Sequence, residues 1–418
     1  MIEWSEQHQM IRDAVRRFVE AEIVPNLEEL EHGDMPPYDV LRKLFATFGM
    51  DEMARARFEK QAQLEKSGAG AAKKEPARDD EELVPRGSLG ARGDGAAMTL
   101  IPIIELCRYC PGMVTAMGVS MGLAAGAVMS KGTPRQKQRW GLDLLTLDKI
   151  GAWAITEPGS GSDAFGGMKS SARRKPDGGY LLNGSKTFIT NGPYADTIIF
   201  ICKLEEEGVP PRERKILNFV LDTGMKGLEQ SKPMRKMGLH SSPTGELFLQ
   251  DVEAEADRLL GETEDQPSRE GAKDAFSTER SGVAAMALGI VERCLELSVA
   301  YAKERVQFER PIGEFQLIQL KLAKMEVARM NIQNLVFRHL ELVDSGRRPS
   351  LAESSAMKLY SAQSAMEVAL EAVQIYGGNG YMAEYQVEQL CRDAKVLQIY
   401  AGTDEIQVSS IARDLLAH

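Results

Sequence analysis

The order of the apolar patterns along the chain limits its fold more than any single motif does. Apolar residues recur at helical spacing up to about residue 145, alternate in short β-rich runs from Gly151, and return to helical spacing after about Pro267. Neither an internal repeat nor an alternation of strands with helices is visible, so a Rossmann-type parallel sheet is not predicted. We therefore predict an α+β fold in which a central antiparallel β domain separates two helical regions.

Three domains follow from these changes of pattern. We predict an N-terminal α-helical domain over residues 1–150, a central β domain over 151–265 and a C-terminal α-helical bundle over 266–418. A chain of 418 residues is long enough for each domain to bury its own apolar core. Ser5 stands directly before the first amphipathic stretch and is a predicted N-cap.

One segment of the N-terminal domain differs from its surroundings in composition. Residues from about 55 to 97 are rich in Gly, Ala and charged residues, which predicts a flexible surface insertion. Inside it, LVPRGS at residues 83–88 matches a protease site that is often engineered into recombinant proteins, and RGD at residues 92–94 matches an adhesion motif. In so biased a segment neither match is given functional weight.

Charge and cysteine usage narrow the classes of function. The formal net charge of −10 disfavours a nucleic-acid partner or an anionic membrane surface, because phosphate groups would be repelled. The five cysteines are sparse and odd in number, which indicates a reducing compartment, and Cys107 and Cys110 are interpreted as buried apolar residues. The five histidines lack metal-ligand spacing, so no metal centre is expected. Neither a signal core nor a membrane span is predicted, and we expect a cytoplasmic protein.

The densest motif is WAITEPGSGSDAFGG, at residues 153–167. An apolar strand there leads into a Gly/Ser loop that leaves hydroxyl groups and bare backbone N–H groups facing one cavity. Such a loop suits the polar edge of a planar cofactor or a phosphate group. Most Gly/Ser loops are only turns, so the motif alone is weak.

Four further segments strengthen it. They are the opening stretch, KTFITNG at residues 186–192, ERVQFERPIGEFQLIQLKLAKM at 304–325 and QIYGGNGYMAEYQVEQLCRDAK at 374–395. Together with the loop, they resemble the acyl-CoA dehydrogenase family over nearly the whole chain apart from the insertion. The resemblance implies an FAD-dependent enzyme of fatty acid metabolism with an acyl-CoA substrate, assembled as a homodimer or homotetramer. It also implies an electron-transferring flavoprotein as the electron acceptor.

The resemblance also implies site residues, position by position. The implied FAD contacts are Trp153, Ile155, Thr156, Ser162, Phe188, Ile189, Thr190, Arg305, Val306, Gln307, Phe308, Phe315, Gln316, Gln374, Gly377, Gly378, Thr403 and Glu405. Those from Arg305 to Gln316 would hold the FAD of a neighbouring subunit, where a guanidinium suits a diphosphate. The implied substrate contacts are Ser162, Ser277, Arg280 and Gly402. Many relatives have Trp at the position of Phe188, where Phe keeps the stacking face but lacks the indole N–H.

The catalytic base is the least obvious part of this site. The implied reaction converts an acyl-CoA thioester to the trans-2-enoyl-CoA, with a carboxylate removing the α proton while the β hydrogen leaves as hydride to flavin N5. Many relatives carry Glu where this chain has Ala401. A subset that includes isovaleryl- and long-chain-type members keeps a small residue there and takes its base from another helix, which matches Glu279.

Apolar and small neighbours would desolvate Glu279 and prepare it to accept a proton. The alternative interpretation is a glutamate near a helix N-terminus that interacts with the helix dipole or pairs with Arg280. The backbone N–H of Ala401 would still donate to the thioester carbonyl, as it does in the family.

Two other functions stay open from the sequence. A flavin-linked relative could pass electrons to oxygen, as an acyl-CoA oxidase or monooxygenase does. A non-catalytic paralogue could serve as a partner subunit.

The Gly/Ala/Met-rich helix around Ser120 to Met129 and the displaced base favour branched or longer acyl groups.

Overall fold

The structure is a computed structural model that describes residues 3–66, 95–265, 270–347 and 349–417. The LVPRGS and RGD motifs lie outside the described residues. Part of the expected insertion is ordered instead, since residues 55–66 continue a long helix and residues 95–97 begin another. The helix over residues 55–66 approaches the segment around Gly141 through Phe58. The Phe58 ring lies 3.5 Å from the position that a Cβ on Gly141 would occupy.

The N-terminal region is helical, as predicted. Its helices are α1 (Glu6–Phe18), α2 (Leu27–His32), α3 (Tyr38–Thr47), α4 (Met50–Lys66), α5 (Gly95–Cys107), α6 (Pro111–Met117), α7 (Gly126–Lys131), α8 (Pro134–Gln136) and α9 (Leu142–Leu145). Short π-helical turns, Val19–Ile23, Gly118–Ala125 and Lys137–Gly141, and a 3₁₀ turn, Val24–Asn26, connect or extend them. Ser5 caps α1 as predicted, its hydroxyl accepting the N–H of His8 at 3.2 Å.

The central region is a seven-stranded sheet. Its strands are β1 (Gly151–Ala154), β2 (Ser171–Arg174), β3 (Tyr180–Thr190), β4 (Thr197–Leu204), β5 (Ile216–Asp222), β6 (Leu228–Gln230) and β7 (Thr244–Ala254), in the order β1-β4-β2-β3-β7-β6 with β5 paired to β4. The sheet is mixed and not wholly antiparallel as expected, because β1 and β2 both run parallel to β4. These pairings join distant segments, which alternating apolar patterns do not reveal.

The two parallel pairs share one edge of β4. The last residue of β1, Ala154, is opposite Phe200, and the first residue of β2, Ser171, is opposite Lys203. The chain between them, residues 155–170, leaves the sheet and returns to the same edge. This excursion contains the Gly/Ser motif.

The C-terminal region is a helical bundle. It comprises α10 (Glu270–Glu304), the hairpin of β8 (Val306–Gln307) and β9 (Arg310–Pro311), α11 (Gln316–Asp344), α12 (Leu351–Tyr376), α13 (Gln386–Val396) and α14 (Asp404–Leu416). The remaining 3₁₀ turns are Ala256–Arg258, Leu260–Glu262, Ile312–Glu314 and Gly377–Tyr381. A capping box of Ser350 and Glu353 begins α12.

The two helical regions share one apolar core. A single buried cluster includes Leu41 and Ile104 from the N-terminal helices together with Ile290 and Val336 from the bundle. The sheet has a separate cluster of its own. The expectation of one core per domain is therefore wrong for the helical regions, since α10 packs against α5 as well as against α11 and α12.

One apolar helical stretch differs from the expectation that no segment has the length and composition of a membrane span. Within the described part of the chain, Pro111–Lys131 is long and apolar enough to cross a membrane, by length and composition alone, with a mean hydropathy of 1.6. Core helices pass the same test. Here the hydroxyl of Ser120 accepts the N–H of Gly151 at 2.8 Å, and Ala124 and Val128 are buried against the sheet. One face of the stretch thus lies in the core between the helices and the sheet.

Candidate active site

The Gly/Ser loop after β1 is held by a buried ion pair. The carboxylate of Glu157 accepts the backbone N–H groups of Lys169 at 2.7 Å and Ser170 at 2.9 Å, and it accepts Nζ of Lys186 at 2.9 Å. Lys186 also donates to the carbonyl of Ile155 at 3.0 Å. Although burial acts to raise it, these donors and the Lys186 charge hold the pKa of Glu157 below its ordinary value. The carboxylate therefore closes the base of the loop.

An aromatic face stands beside this loop. The β3–β7 register shifts between Lys186 and Ile189, and Phe188 lies within the shift with φ +57°. This bulge leaves the Phe188 side chain 65% exposed, whereas Ile189 is buried. The N–H of Thr187 donates to the carbonyl of Thr156 at 2.9 Å, which joins the bulge directly to the loop.

These residues fit a flavin ring. The exposed ring of Phe188 offers an apolar face for stacking, and it stands next to a loop with exposed polar groups. The residues that the structure brings together in this way are Ile155, Thr156, Phe188, Ile189 and Thr190, with Trp153 half-buried in β1 and Ser162 exposed in the loop.

A second set of predicted FAD residues lies on the helical bundle. Arg305, Val306, Gln307 and Phe308 form or adjoin the hairpin after α10, and Phe315 and Gln316 begin α11. Gln374, Gly377 and Gly378 are at the end of α12, next to the same end of α10, since Tyr301 donates to the Tyr376 carbonyl at 3.3 Å. Phe308 is 88% exposed. This surface is therefore open to another molecule.

Glu279 lies well inside α10. It is the tenth residue of that helix, counting from Glu270, so the helix dipole, which acts within the first turn, does not explain it. Among the described residues, no ion pair joins Glu279 to Arg280 within 4 Å, so neither form of the alternative interpretation is supported. Its side chain is partly exposed, but burial raises its pKa to about 7, against the opposing charges of Arg280 and Lys358.

The turn at Ala401 has an unusual backbone. Ala401 has φ +53° and Gly402 has φ +86°, so both lie in the left-handed region. The Gln407 amide donates to the Ala401 carbonyl at 3.0 Å and to the Gly402 carbonyl at 2.7 Å. Nζ of Lys358 donates to the Gly402 carbonyl at 2.9 Å and to Oδ1 of Asp404 at 3.3 Å.

The structure brings this turn close to the part of α10 that contains Glu279, since Nη2 of the next residue, Arg280, lies 3.7 Å from where a Cβ at Gly402 would be. The charges of Glu279 and Lys358 influence each other's pKa, and Glu279 contributes to a raised pKa of Tyr400, the residue before the turn. Asp404 is engaged by Lys358, and Glu405 is exposed. Of the nearby carboxylates, Glu279 is thus the one that lies half-enclosed without an ion-pair partner among the described residues.

The predicted substrate and flavin contacts near this turn have partners of their own. Arg280 is buried and donates to Oγ of Ser355 at 2.7 Å, and the hydroxyl groups of Ser277 and Ser354 are 2.7 Å apart. Both Ser277 and Arg280 therefore face α12. Thr403 caps α14 by accepting the N–H of Ile406 at 3.4 Å.

Several residues of the site were missed from the sequence. They are Glu157, Lys186, Lys358 and Gln407. The only signal for Lys358 was a lysine in a helix that is otherwise rich in small and apolar residues, AESSAMKLYSAQSAM. A charge in such a stripe is expected to be buried and paired.

Three family models match the chain in order. They are Acyl-CoA dehydrogenase, N-terminal domain, over residues 5–54 and 84–148, the middle domain over 152–252, and the C-terminal domain over 270–416. The matches leave few described residues outside.

Individual proteins agree with these models. The chain is 39% identical over 326 residues to the short-chain specific acyl-CoA dehydrogenase of Megasphaera elsdenii, covering 77% of this chain and 82% of that protein. It is 32% identical over 419 residues to the caffeyl-CoA reductase-Etf complex subunit CarC of Acetobacterium woodii, covering 99% of both. The solved structure of butyryl-CoA dehydrogenase from Megasphaera elsdenii matches with a TM-score of 0.82 at 32% identity, covering 100% of both chains.

Proposed function

The chain belongs to the acyl-CoA dehydrogenase family, and from this premise we propose that Glu279 is the base that removes the α proton of its acyl-CoA substrate. The family assignment makes the protein an FAD-dependent oxidoreductase that catalyses α,β-dehydrogenation of an acyl-CoA thioester. The observation that carries the proposal is the half-enclosed carboxylate of Glu279 beside the Ala401 turn, with its pKa raised to about 7.

A base with this pKa suits the reaction. A carboxylate of ordinary pKa is a weak acceptor for an α proton, whereas one poised near neutral pH accepts it more readily and is still ionised in a large fraction of molecules. Bound FAD supplies the acceptor for the β hydrogen, which leaves as hydride. The residues that would hold its flavin ring are Ile155, Thr156 and Phe188 with their neighbours in β3.

The turn at Ala401 supports the other half of the reaction. As the α proton leaves, negative charge develops on the thioester oxygen, and a fixed N–H donor stabilises it. The N–H of Ala401 is the proposed donor, which explains how the site tolerates an alanine where many relatives have glutamate.

The decisive experiment uses Glu279→Gln under anaerobic conditions. We expect the variant to retain FAD while the rate of flavin bleaching by acyl-CoA falls by about 10²- to 10⁴-fold, because the general base is lost. In the parent protein the same rate should increase with pH, about tenfold per unit below pH 7, and level off above it. Glu367→Gln is the matched control, because its carboxylate is exposed on α12 and has no role in the proposed site.

Bleaching of Glu279→Gln at the parent rate would disprove the assignment of the base. A parent protein whose flavin never bleaches with acyl-CoA of any chain length would instead support the non-catalytic paralogue. Rapid aerobic reoxidation with release of peroxide would favour an oxidase.

We further propose that the protein works as a homodimer or homotetramer. Support comes from the exposed hairpin surface with Arg305, Gln307 and Phe308, for which the family resemblance implies contacts to the FAD of a neighbouring subunit. Mass photometry of the parent and of Arg305→Ala, with flavin occupancy measured in parallel, tests this. A monomer with full flavin occupancy would contradict it.

The electron acceptor and setting are proposals of the same kind. We propose an electron-transferring flavoprotein as acceptor, supported by the similarity to a subunit of a caffeyl-CoA reductase-Etf complex.

A cytoplasmic role in fatty acid metabolism fits the composition and the family. We also propose a branched or longer acyl group, on the basis of the Gly/Ala/Met-rich helix around Ser120 to Met129 and of the displaced base. A panel of short, long and branched acyl-CoAs tests this preference.

A further inference from the structure

Lys358 is a fully buried lysine at the centre of the proposed site. It lies in α12, its side chain is 0% exposed, and its Nζ donates to the Gly402 carbonyl at 2.9 Å and to Oδ1 of Asp404 at 3.3 Å. Burying an ammonium group costs several kcal/mol of free energy unless close partners compensate it. Here the nearer partner is a neutral carbonyl, and Asp404 also accepts from Gln363 at 3.3 Å. Stability alone is a poor explanation for such a placement.

The Gly402 carbonyl is part of a turn whose acceptors are all occupied. Lys358 and Gln407 together hold the carbonyl oxygens of Ala401 and Gly402 from the helical side. In the part of the chain that the structure describes, the N–H of Ala401 donates no hydrogen bond. The turn therefore has fixed carbonyl groups and a free N–H, the arrangement that a donor to a developing oxyanion requires.

The same ammonium group acts on Glu279. Its positive charge opposes the effect of burial on that carboxylate, as does Arg280 on the same helix. The other titratable groups around this point are Tyr400 before the turn and Asp404, which takes the second hydrogen bond of Lys358. His339 of α11 faces Ser281 at 3.3 Å, and burial lowers its pKa to about 4, so it is neutral at neutral pH.

We propose that Lys358 is a positioning residue that holds the Ala401–Gly402 turn with the Ala401 N–H aimed at the thioester carbonyl, while its charge favours the ionised form of Glu279. This inference rests on the proposed function of Glu279 and of the Ala401 N–H. Lys358 would then act both on the proton acceptor, Glu279, and on the amide donor, the N–H of Ala401. Both groups take part in the same step of the reaction.

The experiment compares Lys358→Met, Lys358→Arg and Gln407→Leu, with the exposed Lys395→Met as the matched control. Flavin absorbance and thermal unfolding establish that each variant folds with FAD. Two readouts then follow: the infrared carbonyl stretch of the bound enoyl-CoA product, and the pH profile of anaerobic flavin bleaching.

For Lys358→Met we expect bleaching at pH 7 to slow by about 100-fold, the range found when one oxyanion donor is lost. The carbonyl stretch should move towards its value in water. The midpoint of the pH profile should move up by about one unit, because a positive neighbour of Glu279 is gone. Lys358→Arg should restore the midpoint. Gln407→Leu should move the carbonyl stretch but leave the midpoint in place, because the charge remains.

A folded Lys358→Met protein with the parent carbonyl stretch and the parent midpoint would overturn the proposal. If Lys358→Met fails to fold, a parent carbonyl stretch in folded Gln407→Leu, together with a shifted midpoint in folded Lys358→Arg, which keeps the positive charge, would overturn it equally. These outcomes are separate from a failure of Glu279 as base, because the carbonyl stretch is measured with product and needs no proton transfer.

Discussion

Each half of the site is built around a fully buried lysine, and the two lysines are partnered differently. In the sheet, Lys186 donates to the Ile155 carbonyl at 3.0 Å and to a Glu157 carboxylate at 2.9 Å that also accepts two backbone N–H groups. In the bundle, Lys358 has a carbonyl at 2.9 Å and only a more distant carboxylate at 3.3 Å. Burial lowers the pKa of both lysines.

The difference indicates a division of labour. The Lys186–Glu157 pair has every polar group engaged close by, so it suits a scaffold that keeps the flavin loop in place. Lys358 is less fully compensated and lies near an ionisable carboxylate, so its charge remains available to act on the reacting groups. A buried lysine thus stabilises structure in one half and tunes chemistry in the other.

The substitution with the largest expected effect removes the Lys186–Glu157 ion pair in the sheet. Lys186→Met leaves Glu157 as an unpaired buried charge, so we expect the free energy of unfolding to fall by about 3–5 kcal/mol, with loss of bound FAD. Lys358→Met should cost less stability and retain FAD. Urea denaturation of both variants measures the contrast, with Lys175→Met at an exposed ion pair as the control. Equal losses of stability would remove the proposed division of labour.

Asp393 and Glu31 form a buried pair of two carboxyl groups, which contrasts with the oppositely charged Lys186–Glu157 pair. Asp393 is buried, accepts the Leu239 N–H at 2.6 Å and lies close to the buried Glu31, and burial together with the Glu31 charge raises the pKa of Asp393. The folded protein therefore holds a proton on Asp393 above pH 3.9, near the ordinary pKa of Asp, where the unfolded chain has lost it. Its contribution to the free energy of unfolding should thus fall as pH rises.

Asp393→Asn should reduce this decrease in the free energy of unfolding with rising pH. The decrease amounts to at most about 1.4 kcal/mol per pH unit. Glu157, whose pKa is lowered, contributes with the opposite sign, so its stabilisation is lost as pH falls into the acid range. Urea denaturation of the parent, Asp393→Asn and Glu157→Gln from pH 2.5 to pH 8 measures both. A slope that is unchanged in Asp393→Asn would show that the acid pair is not coupled to folding.

The smallest expected effect concerns the flavin face in the sheet. Phe188→Trp restores the residue that many relatives have, and the exposed position on the bulge leaves room for the larger ring. We expect FAD to bind about threefold to tenfold more tightly, from added aromatic contact. Titration of the apoprotein with FAD measures this, with Phe188→Leu as the control that loses the ring. Weaker binding in Phe188→Trp would mean that the bulge does not accept an indole.

Local patterns predicted much of this molecule. The helix–sheet–helix order, the Ser5 cap and the burial of Cys107 and Cys110 follow from residues close together in the sequence. The positions of Phe188, Glu279 and Ala401 came from the family resemblance, and their roles in this chain remain predictions.

Features that depend on distant partners were not predictable in this way. The parallel pairing of β1 and β2 with β4, and the core shared by the helical regions, join segments far apart in sequence. The small and apolar neighbours of Lys358 indicate burial, but its partners, Gly402 and Asp404, lie more than 40 residues away in sequence. The helix over residues 55–66 was missed because its few apolar residues find contacts only in the tertiary structure.

The interruption between the two parallel pairings on one edge of β4 affects how the sequence of the flavin loop can change in evolution. Residues 155–170 leave β4 opposite Phe200 and return opposite Lys203, only about 10 Å further along the same strand. The entropy of closing such a loop grows slowly with its length, and Glu157 fastens its two ends. Insertions or replacements inside the loop therefore leave the register of the sheet untouched, so cofactor contacts can diversify while the scaffold stays the same.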